Sequence, residues 1–362
     1  MPRNPPVIGL VINPQAGRDI RRLVAYASVF DNSEKMNIVR KLIMTLLDLG
    51  INRYVIMPEP EGIVTTALHS LPSNAIEGIE YEYAPPIRVS GTWVDTYDAV
   101  RYMIGRVDAL IVLGGDGTNR IVAKTGIEVP VMPISTGTNN VFPYMIEATI
   151  AAEAVAAIVL GYVGVEEGAY RSKVIRIYED GEYRDVAIVD AVSTSYQYIG
   201  ARAIWEPEYI REVFTVLSAP YNIGLSSIAG LFKEVGHEND EAIYVRLSRD
   251  GTGKSFRTAI TPGRMSRLSV EEVREVRLGE RVRLSPGSTL IALDGEREFM
   301  VDPGSELVVE AVRRGPFVID YRKTLSMAKE RGGSSNHSSN SLGISTLMNS
   351  LPKTHSGLLY LL

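Results

Sequence analysis

The 362-residue sequence predicts an α/β plus β protein, in which a parallel-sheet N-terminal domain precedes a mostly antiparallel, β-rich second domain. Two observations support this prediction. In the first 145 residues, short continuous apolar runs alternate with segments of helical periodicity, the pattern of buried parallel strands covered by helices. Further along the chain, short β-type runs surround Asp-Gly pairs, as in "IYEDGEYR" and "IALDGEREF".

The elements of the first domain follow from periodicity and from helix-capping signals. Asn32 or Ser33 is expected to cap a helix that ends before Gly50. Residues 62–91 are expected to mix a helix with an extended strand. The remaining predicted strands lie at 7–12, 52–60, 108–113 and 129–134, and the remaining predicted helices at 19–27, 95–105, 119–126 and 146–161.

We predict three regions: an α/β domain over 1–145, a β-rich second domain over 146–331 whose last part returns to the first domain, and a poorly ordered Ser/Asn-rich tail over 332–362. Within the second domain, "EPEYIREVFTVLSAP" (206–220) is expected to be a helix with Pro207 near its first turn. The "GTGKS" stretch (251–255) lacks the earlier glycine of a phosphate loop, so a hairpin turn is expected there.

Composition excludes several classes of function. The net charge is −5 and no basic stripe with interleaved aromatic residues occurs, so we expect no nucleic-acid partner. The absence of cysteine excludes disulfides and thiolate zinc sites, and the four histidines are not at ligand spacing. We find neither a secretory pattern nor an apolar segment long enough to span a membrane, and we therefore expect a cytoplasmic protein.

The stretch "DALIVLGGDGTNR" (108–120) carries the chemistry of the first domain. A buried strand ends here, and Gly114, Gly115 and Gly117 remove Cβ atoms so that backbone N–H groups can approach a phosphate. Thr118 adds a hydroxyl, and the following helix directs its N-terminal dipole at an anion. Because a carboxylate repels phosphate, Asp116 needs another role, either a Mg²⁺ contact or proton abstraction from an attacking hydroxyl.

Two further Gly-bearing loops follow predicted strands. "STGTNN" (135–140) supplies Gly137, Thr138, Asn139 and Asn140, and "INPQAGR" (12–18) supplies Asn13 and Gly17. Each loop alone is compatible with an ordinary tight βα turn. Since the carboxyl ends of parallel strands meet at one edge of a sheet, all three together predict a continuous phosphate-binding rim.

This combination of motifs resembles the superfamily of NAD kinases, diacylglycerol kinases and sphingosine kinases. The wider pattern is most similar to ATP-NAD kinase-like proteins related to acetoin-catabolism protein X, through "NPQAGRDIRRLVAYAS", "IGARAIWEP" and "GLSSIAG" over roughly residues 7–325. The resemblance implies a Rossmann-like nucleotide-binding domain, a β-rich second domain, and transfer of a phosphoryl group from Mg²⁺-bound ATP to a hydroxyl. Homo-oligomers are common in this superfamily.

The resemblance also implies roles for individual residues. Asp116 matches the residue that contacts nucleotide and is proposed as general base, with Mg²⁺ nearby. The glycines of "GGDGT", Thr118, Asn13, Gly17 and the "GTNN" loop match the nucleotide and phosphate contacts. The tentative acceptor-side residues are Asn140, Asp190, Asp294 and Glu296: "LDGE" (293–296) resembles the Asp-Gly-Glu of lipid kinases, and "IVDAV" has Val189 where NAD kinases carry Asn.

Three hypotheses remain open at this stage. The first is an NAD kinase-like enzyme that phosphorylates a ribose hydroxyl, with ATP or polyphosphate as donor. The second is a lipid or other alcohol kinase, with Phe142, Met145 and Ile146 either lining an apolar acceptor groove or belonging to a helix core. The third is a nucleotide sensor without turnover.

Overall fold

The structure is a computed structural model that describes residues 5–17, 26, 30–84, 89–137, 139–200 and 203–334. Nine helices occur in these residues: α1 (Asn32–Asp48), α2 (Ile63–His69), α3 (Ser73–Ile76), α4 (Trp93–Met103), α5 (Asp116–Lys124), α6 (Ala148–Val159), α7 (Val165–Gly168), α8 (Ser226–Gly230) and α9 (Tyr321–Ser334). The predicted helix at 19–27 and most of the predicted tail lie outside the described residues.

The same residues form eighteen strands. Those before residue 200 are β1 (Val7–Ile12), β2 (Arg53–Ile56), β3 (Glu80–Tyr83), β4 (Ala109–Gly114), β5 (Val131–Ser135), β6 (Ala169–Arg171), β7 (Val174–Glu179), β8 (Glu182–Ala187) and β9 (Asp190–Thr194). The later ones are β10 (Ile210–Thr215), β11 (Glu241–Leu247), β12 (Lys254–Thr261), β13 (Arg264–Arg277), β14 (Arg281–Arg283), β15 (Leu290–Leu293), β16 (Glu296–Met300), β17 (Leu307–Val312) and β18 (Phe317–Ile319).

The first sheet confirms the predicted parallel architecture. Its order is β3-β2-β1-β4-β5-β18-β6, and all neighbours are parallel except β6, which pairs antiparallel with β18. Both faces are covered: α1, α2, α6 and α9 pack on one apolar cluster, and α4 packs on the other. Continuous apolar strands therefore reflect burial from both sides.

The second part of the chain is the predicted antiparallel β region. A seven-stranded sheet, β12-β13-β11-β10-β9-β15-β16, packs against a four-stranded sheet, β14-β17-β7-β8, around one apolar core. The short helix α8 covers the outer face of the larger sheet. β6, β18 and α9 lie with the first sheet, although the exact boundary between the domains at 145/146 stays a prediction.

Local signals account for most element ends. Asp31, rather than Asn32 or Ser33, caps α1 by accepting a hydrogen bond from the Ser33 amide at 3.0 Å. Gly50 follows this helix with φ of 81°, as expected for a helix end. The "GTGKS" stretch joins β11 to β12, but both strands pair with β13, so it is an interstrand loop and not the predicted hairpin.

The predicted helix at 206–220 is wrong. Residues Pro207–Tyr209 form a single 3₁₀ turn, and β10 follows as a central strand between β9 and β11. Glu212, at a bulge in this strand, is buried and accepts hydrogen bonds from the hydroxyls of Ser193 (2.8 Å) and Tyr244 (2.6 Å). A bulge and a buried carboxylate disturb the period-2 pattern, which made this strand look helical.

The two parts of the chain meet at the rings of Phe142, Tyr170 and His237, which we call the ring cluster. The imidazole of His237 lies 4.5 Å from the ring of Tyr170 on β6 and 6.0 Å from that of Phe142, measured between ring centroids. Burial and the neighbouring Lys173 lower the pKa of His237 to about 4, while Arg313 also lowers it and Glu238 and Asp320 oppose the shift. The ring is therefore neutral at pH 7.

Replacing Glu212 tests the structure of β10. We expect Glu212→Ala to cost about 3 kcal/mol, because the hydroxyls of Ser193 and Tyr244 and the amide of Ser285 lose their acceptor. Urea denaturation followed by circular dichroism measures the loss. Glu208→Ala, an exposed neighbour in the 3₁₀ turn, serves as control and should change stability by less than about 0.5 kcal/mol. Equal effects of the two substitutions would contradict the buried hydrogen-bonded carboxylate.

The ring cluster predicts a pH dependence of stability. The folded pKa of His237 lies below its unfolded value of 6.5, so the unfolded chain binds the proton first. Stability is then lost as the pH falls from about 6.5 to 4, by up to about 3 kcal/mol. We expect His237→Gln to flatten this dependence in urea denaturation, whereas substitution of the exposed His69 by Gln should leave it unchanged.

Candidate nucleotide and phosphoryl-transfer site

Three loops line one cleft of about 490 Å³ at the carboxyl edge of the first sheet. They follow β1, β4 and β5, which are neighbours in that sheet. The side-chain amide of Asn13 in the first loop donates a hydrogen bond to the Thr118 hydroxyl in α5, over 2.8 Å. The structure thus brings together the loops that the sequence indicated.

Two glycines allow the loops to approach each other. A Cβ atom at Gly115 would lie 2.7 Å from the side-chain oxygen of Asn140 in the third loop. Gly17 has φ of 77°, and a Cβ there would lie 2.7 Å from the carbonyl oxygen of Thr136. Any larger residue at either position would push two of the three loops apart.

Asp116 holds the third loop against α5. Its carboxylate accepts hydrogen bonds from the backbone amides of Val141 (3.1 Å) and Phe142 (2.9 Å). The Asp116 amide in turn donates to the side-chain oxygen of Asn140 at 3.4 Å. Asp116 is therefore a loop anchor in this structure, and its proposed work as base or Mg²⁺ ligand stays a prediction.

Lys35, which the sequence analysis did not single out, fixes the first loop. It is fully buried on α1, and its ammonium donates hydrogen bonds to the carbonyl oxygens of Asn13 (3.1 Å) and Pro14 (2.6 Å). The available signal was a charged residue on the apolar face of α1, beside Ile38 and Val39.

Carboxylates from the second part of the chain form the wall of the cleft that lies opposite the three loops. Asp190 and Glu296 line the cleft, and a Cβ atom added at Gly117 in α5 would lie 3.5 Å from Glu296 Oε1. Asp294 lies in the β15–β16 hairpin turn and accepts amide hydrogen bonds from Val189 (2.7 Å) and its neighbours. Complete burial and the nearby Asp190 raise the pKa of Asp294 well above its usual range.

Arg120, the second residue that sequence reasoning missed, connects the two walls. It projects from α5 with 3% of its side chain exposed. Its guanidinium contacts Glu298 at 2.8 Å, Asp185 at 3.3 Å and Asp294 at 3.9 Å. Since these acids lie at least 65 residues away in the chain, no local pattern could have identified them.

The other predicted residues of the third loop have different positions. Asn139 and Asn140 line the cleft, and the Gly137 carbonyl accepts a hydrogen bond from the Ser135 hydroxyl. Thr138 lies outside the described residues. Gly114 packs against Thr118 at the end of β4. The three apolar residues considered for an acceptor groove do not line this cleft, and they precede α6. Phe142 is in the β core, Met145 is 62% exposed, and Ile146 packs on the first core.

No preformed cluster of three or more metal-ligating side chains occurs in the residues that the structure describes. Mg²⁺, however, is commonly held by one or two carboxylates together with substrate phosphates. Glu296 faces the first turn of α5 across the cleft, and Asp190 also lines the cleft, so the donor set fits a metal that arrives with a nucleotide. Among the described helices, none is long and apolar enough to cross a membrane.

Comparison with known proteins first defines the class. Residues 8–162 match the ATP-NAD kinase N-terminal domain, and residues 173–314 match the C-terminal domain of acetoin catabolism protein X. The fold also resembles that of yeast NADH kinase complexed with NADH, with a TM-score of 0.52 and 13% identity over 94% of this chain and 90% of that chain. The protein thus has the NAD kinase fold.

The family is then given by sequence. The chain is 36% identical to acetoin catabolism protein X of Cupriavidus necator over 315 residues, covering 84% of this chain and 87% of the relative. It belongs to the acetoin catabolism protein X family. A diacylglycerol kinase from Bacillus anthracis aligns at 12% identity over 86% of this chain and 96% of that chain, with a TM-score of only 0.38.

Removal of the Arg120 side chain tests the link between the two walls. We expect Arg120→Gln to cost about 3–5 kcal/mol, because it leaves buried carboxylates without their counter-charge. Lys124→Gln is the matched control. Lys124 lies on the same helix and pairs with Asp185 at 3.0 Å, but it is one-quarter exposed and should cost less than about 1 kcal/mol. Urea denaturation compares them, and similar losses would refute the role of Arg120.

Proposed function

We propose that this protein is a Mg²⁺-dependent small-molecule kinase that transfers the γ-phosphoryl group of ATP to a ribose hydroxyl of NAD, forming NADP. The observation that carries the proposal is the cleft itself. Three Gly-bearing loops and the start of α5 form one wall, and carboxylates of the second part form the other. Ligand sites of α/β proteins favour this position at the carboxyl ends of strands.

The first wall suits the phosphates of the donor. The first N–H groups of α5 have no intrahelical acceptor and carry the positive end of the helix dipole. Thr118 adds a hydroxyl, already oriented by the Asn13 amide. In this proposal, the absence of a side chain at Gly117, whose Cβ position has no neighbour closer than 3.5 Å, lets the phosphate chain approach the backbone N–H groups at the start of α5.

The second wall requires a cation. Asp190 and Glu296 would repel ATP unless positive charge accompanies it. A Mg²⁺ ion held at this wall would supply the positive charge that offsets the phosphates. We assign its protein ligands to Glu296 and Asp190. Asp294 instead keeps the β15–β16 turn in place through its amide contacts.

The acceptor is proposed to combine apolar and polar surface. The apolar residues expected to line a lipid groove lie outside the cleft, whose walls carry amide, hydroxyl and carboxylate groups beside apolar residues such as Trp93, Ile121 and Leu225. This mixture suits a nucleoside-type alcohol, which joins an apolar base to a polar ribose. The fold similarity to yeast NADH kinase supports NAD as the first acceptor to test.

Two substitutions of Asp116 separate catalysis from loop anchoring. Asp116→Asn keeps a side-chain oxygen that can accept from the Val141 and Phe142 amides but removes the base. We expect it to lower kcat for NADP formation about 10²–10⁴-fold while nucleotide affinity and thermal stability stay near those of the wild type. Asp116→Ala should also weaken nucleotide binding. NADP is measured enzymatically with Mg²⁺-ATP and NAD.

The outcomes discriminate between the hypotheses. NADP formation by the wild type, lost in Asp116→Asn, supports the kinase with Asp116 as base. Wild-type turnover retained in Asp116→Asn would reduce Asp116 to an anchor. Saturable ATP binding with neither NADP nor any other phosphorylated alcohol as product would indicate a sensor. Polyphosphate in place of ATP tests the donor.

A further inference from the structure

A second cavity, of about 530 Å³, lies at one end of the larger antiparallel sheet. It shares no lining residue with the nucleotide cleft. Its lining comes from the turn before β10, from β10 and the end of β11, from the loop that follows, and from β13: Pro207, Glu208, Ile210, Arg211, Leu247, Ser248, Arg249, Gly251, Arg267, Leu268 and Ser269. We call it the arginine cavity.

Three guanidinium groups surround the arginine cavity without a carboxylate partner. No ion pair joins Arg211, Arg249 or Arg267 to any acid in the part of the chain that the structure describes; Arg267 donates only to the Ser255 hydroxyl, at 2.7 Å. Glu208 is the acidic residue of the lining. The neighbouring Asp250 instead accepts hydrogen bonds from Ser248 (2.7 Å) and Thr252.

Arg211 shows most directly that this charge is uncompensated. Its Nε atom is buried and has no hydrogen-bond acceptor among the described residues. Burial and the like charge of Arg249 lower the pKa of its guanidinium, and only the adjacent Glu212 opposes this shift. The carboxylate of Glu212 is engaged inside the sheet by Tyr244 and Ser193. Like charges that lie close together repel each other, and a bound anion would relieve this repulsion.

We infer that the arginine cavity binds a phosphate monoester with a small apolar body. A guanidinium group can donate two parallel hydrogen bonds to phosphate oxygens. Three guanidinium groups carry more positive charge than one carboxylate can balance, so a phosphate dianion suits them better. The floor supplies apolar surface through Ile210, Leu247 and Leu268, which belong to the core under α8. The net charge of the chain is −5, so the positive charge around this cavity is opposite in sign to that of the protein as a whole. The inference is independent of the reaction in the nucleotide cleft.

Binding of three probes to the full chain tests the inference: phenyl phosphate, inorganic phosphate and benzyl alcohol, measured by calorimetry at low ionic strength. We expect phenyl phosphate to bind more tightly than phosphate, and benzyl alcohol not to bind. Arg211→Gln and Arg249→Gln should each weaken the phenyl phosphate site at least tenfold. Raising the salt concentration should weaken it as well.

Arg277→Gln is the matched control, since Arg277 is an exposed arginine at the far end of β13. It should change phenyl phosphate affinity by less than twofold. Should Arg211→Gln fail to fold, the exposed Arg249 and Arg267 carry the same test, and their variants should keep the wild-type melting temperature without ligand. Unchanged binding in an Arg249→Gln/Arg267→Gln double variant, or equally tight benzyl alcohol binding, would overturn the inference.

Discussion

The hydrogen bonds between the Asp116 carboxylate and the amides of Val141 and Phe142 are the contact on which the cleft depends. They hold the loop after β5 against the first turn of α5, where a negative charge is favoured by the helix dipole. The close approach requires that Gly115 lack a side chain, because Asn140 occupies the space of a Cβ. One carboxylate thus determines the relative position of two loops that lie 25 residues apart.

The same helix also connects the two parts of the chain. Arg120 lies on α5 one turn after Asp116, and its guanidinium pairs with Asp185 on β8 and Glu298 on β16. A change in the angle between the two parts would separate these buried charges, which is costly at low dielectric. The two walls of the cleft are therefore held at a fixed spacing by α5.

Local sequence patterns explain which elements of the fold and which site residues could be predicted. The parallel sheet and its three loops follow from continuous apolar runs that end in Gly-bearing segments, and periodicity located α1, α4 and α5 to within a few residues. β10 was mistaken for a helix because its bulge and Glu212 break the alternation. Arg120 and Lys35 were missed because their partners are distant in sequence, and Phe142 because an apolar residue near a loop can face either the core or the cleft.

The buried Lys35 has a consequence for the thermodynamics of ligand entry. Its ammonium clamps two consecutive carbonyl groups of the Asn13–Pro14 segment from inside the protein, so this segment has its final shape before anything binds. Ligand association then does not have to order the backbone there, which would otherwise cost about 1–2 kcal/mol per residue. Preorganisation of this kind favours a small entropic penalty on binding.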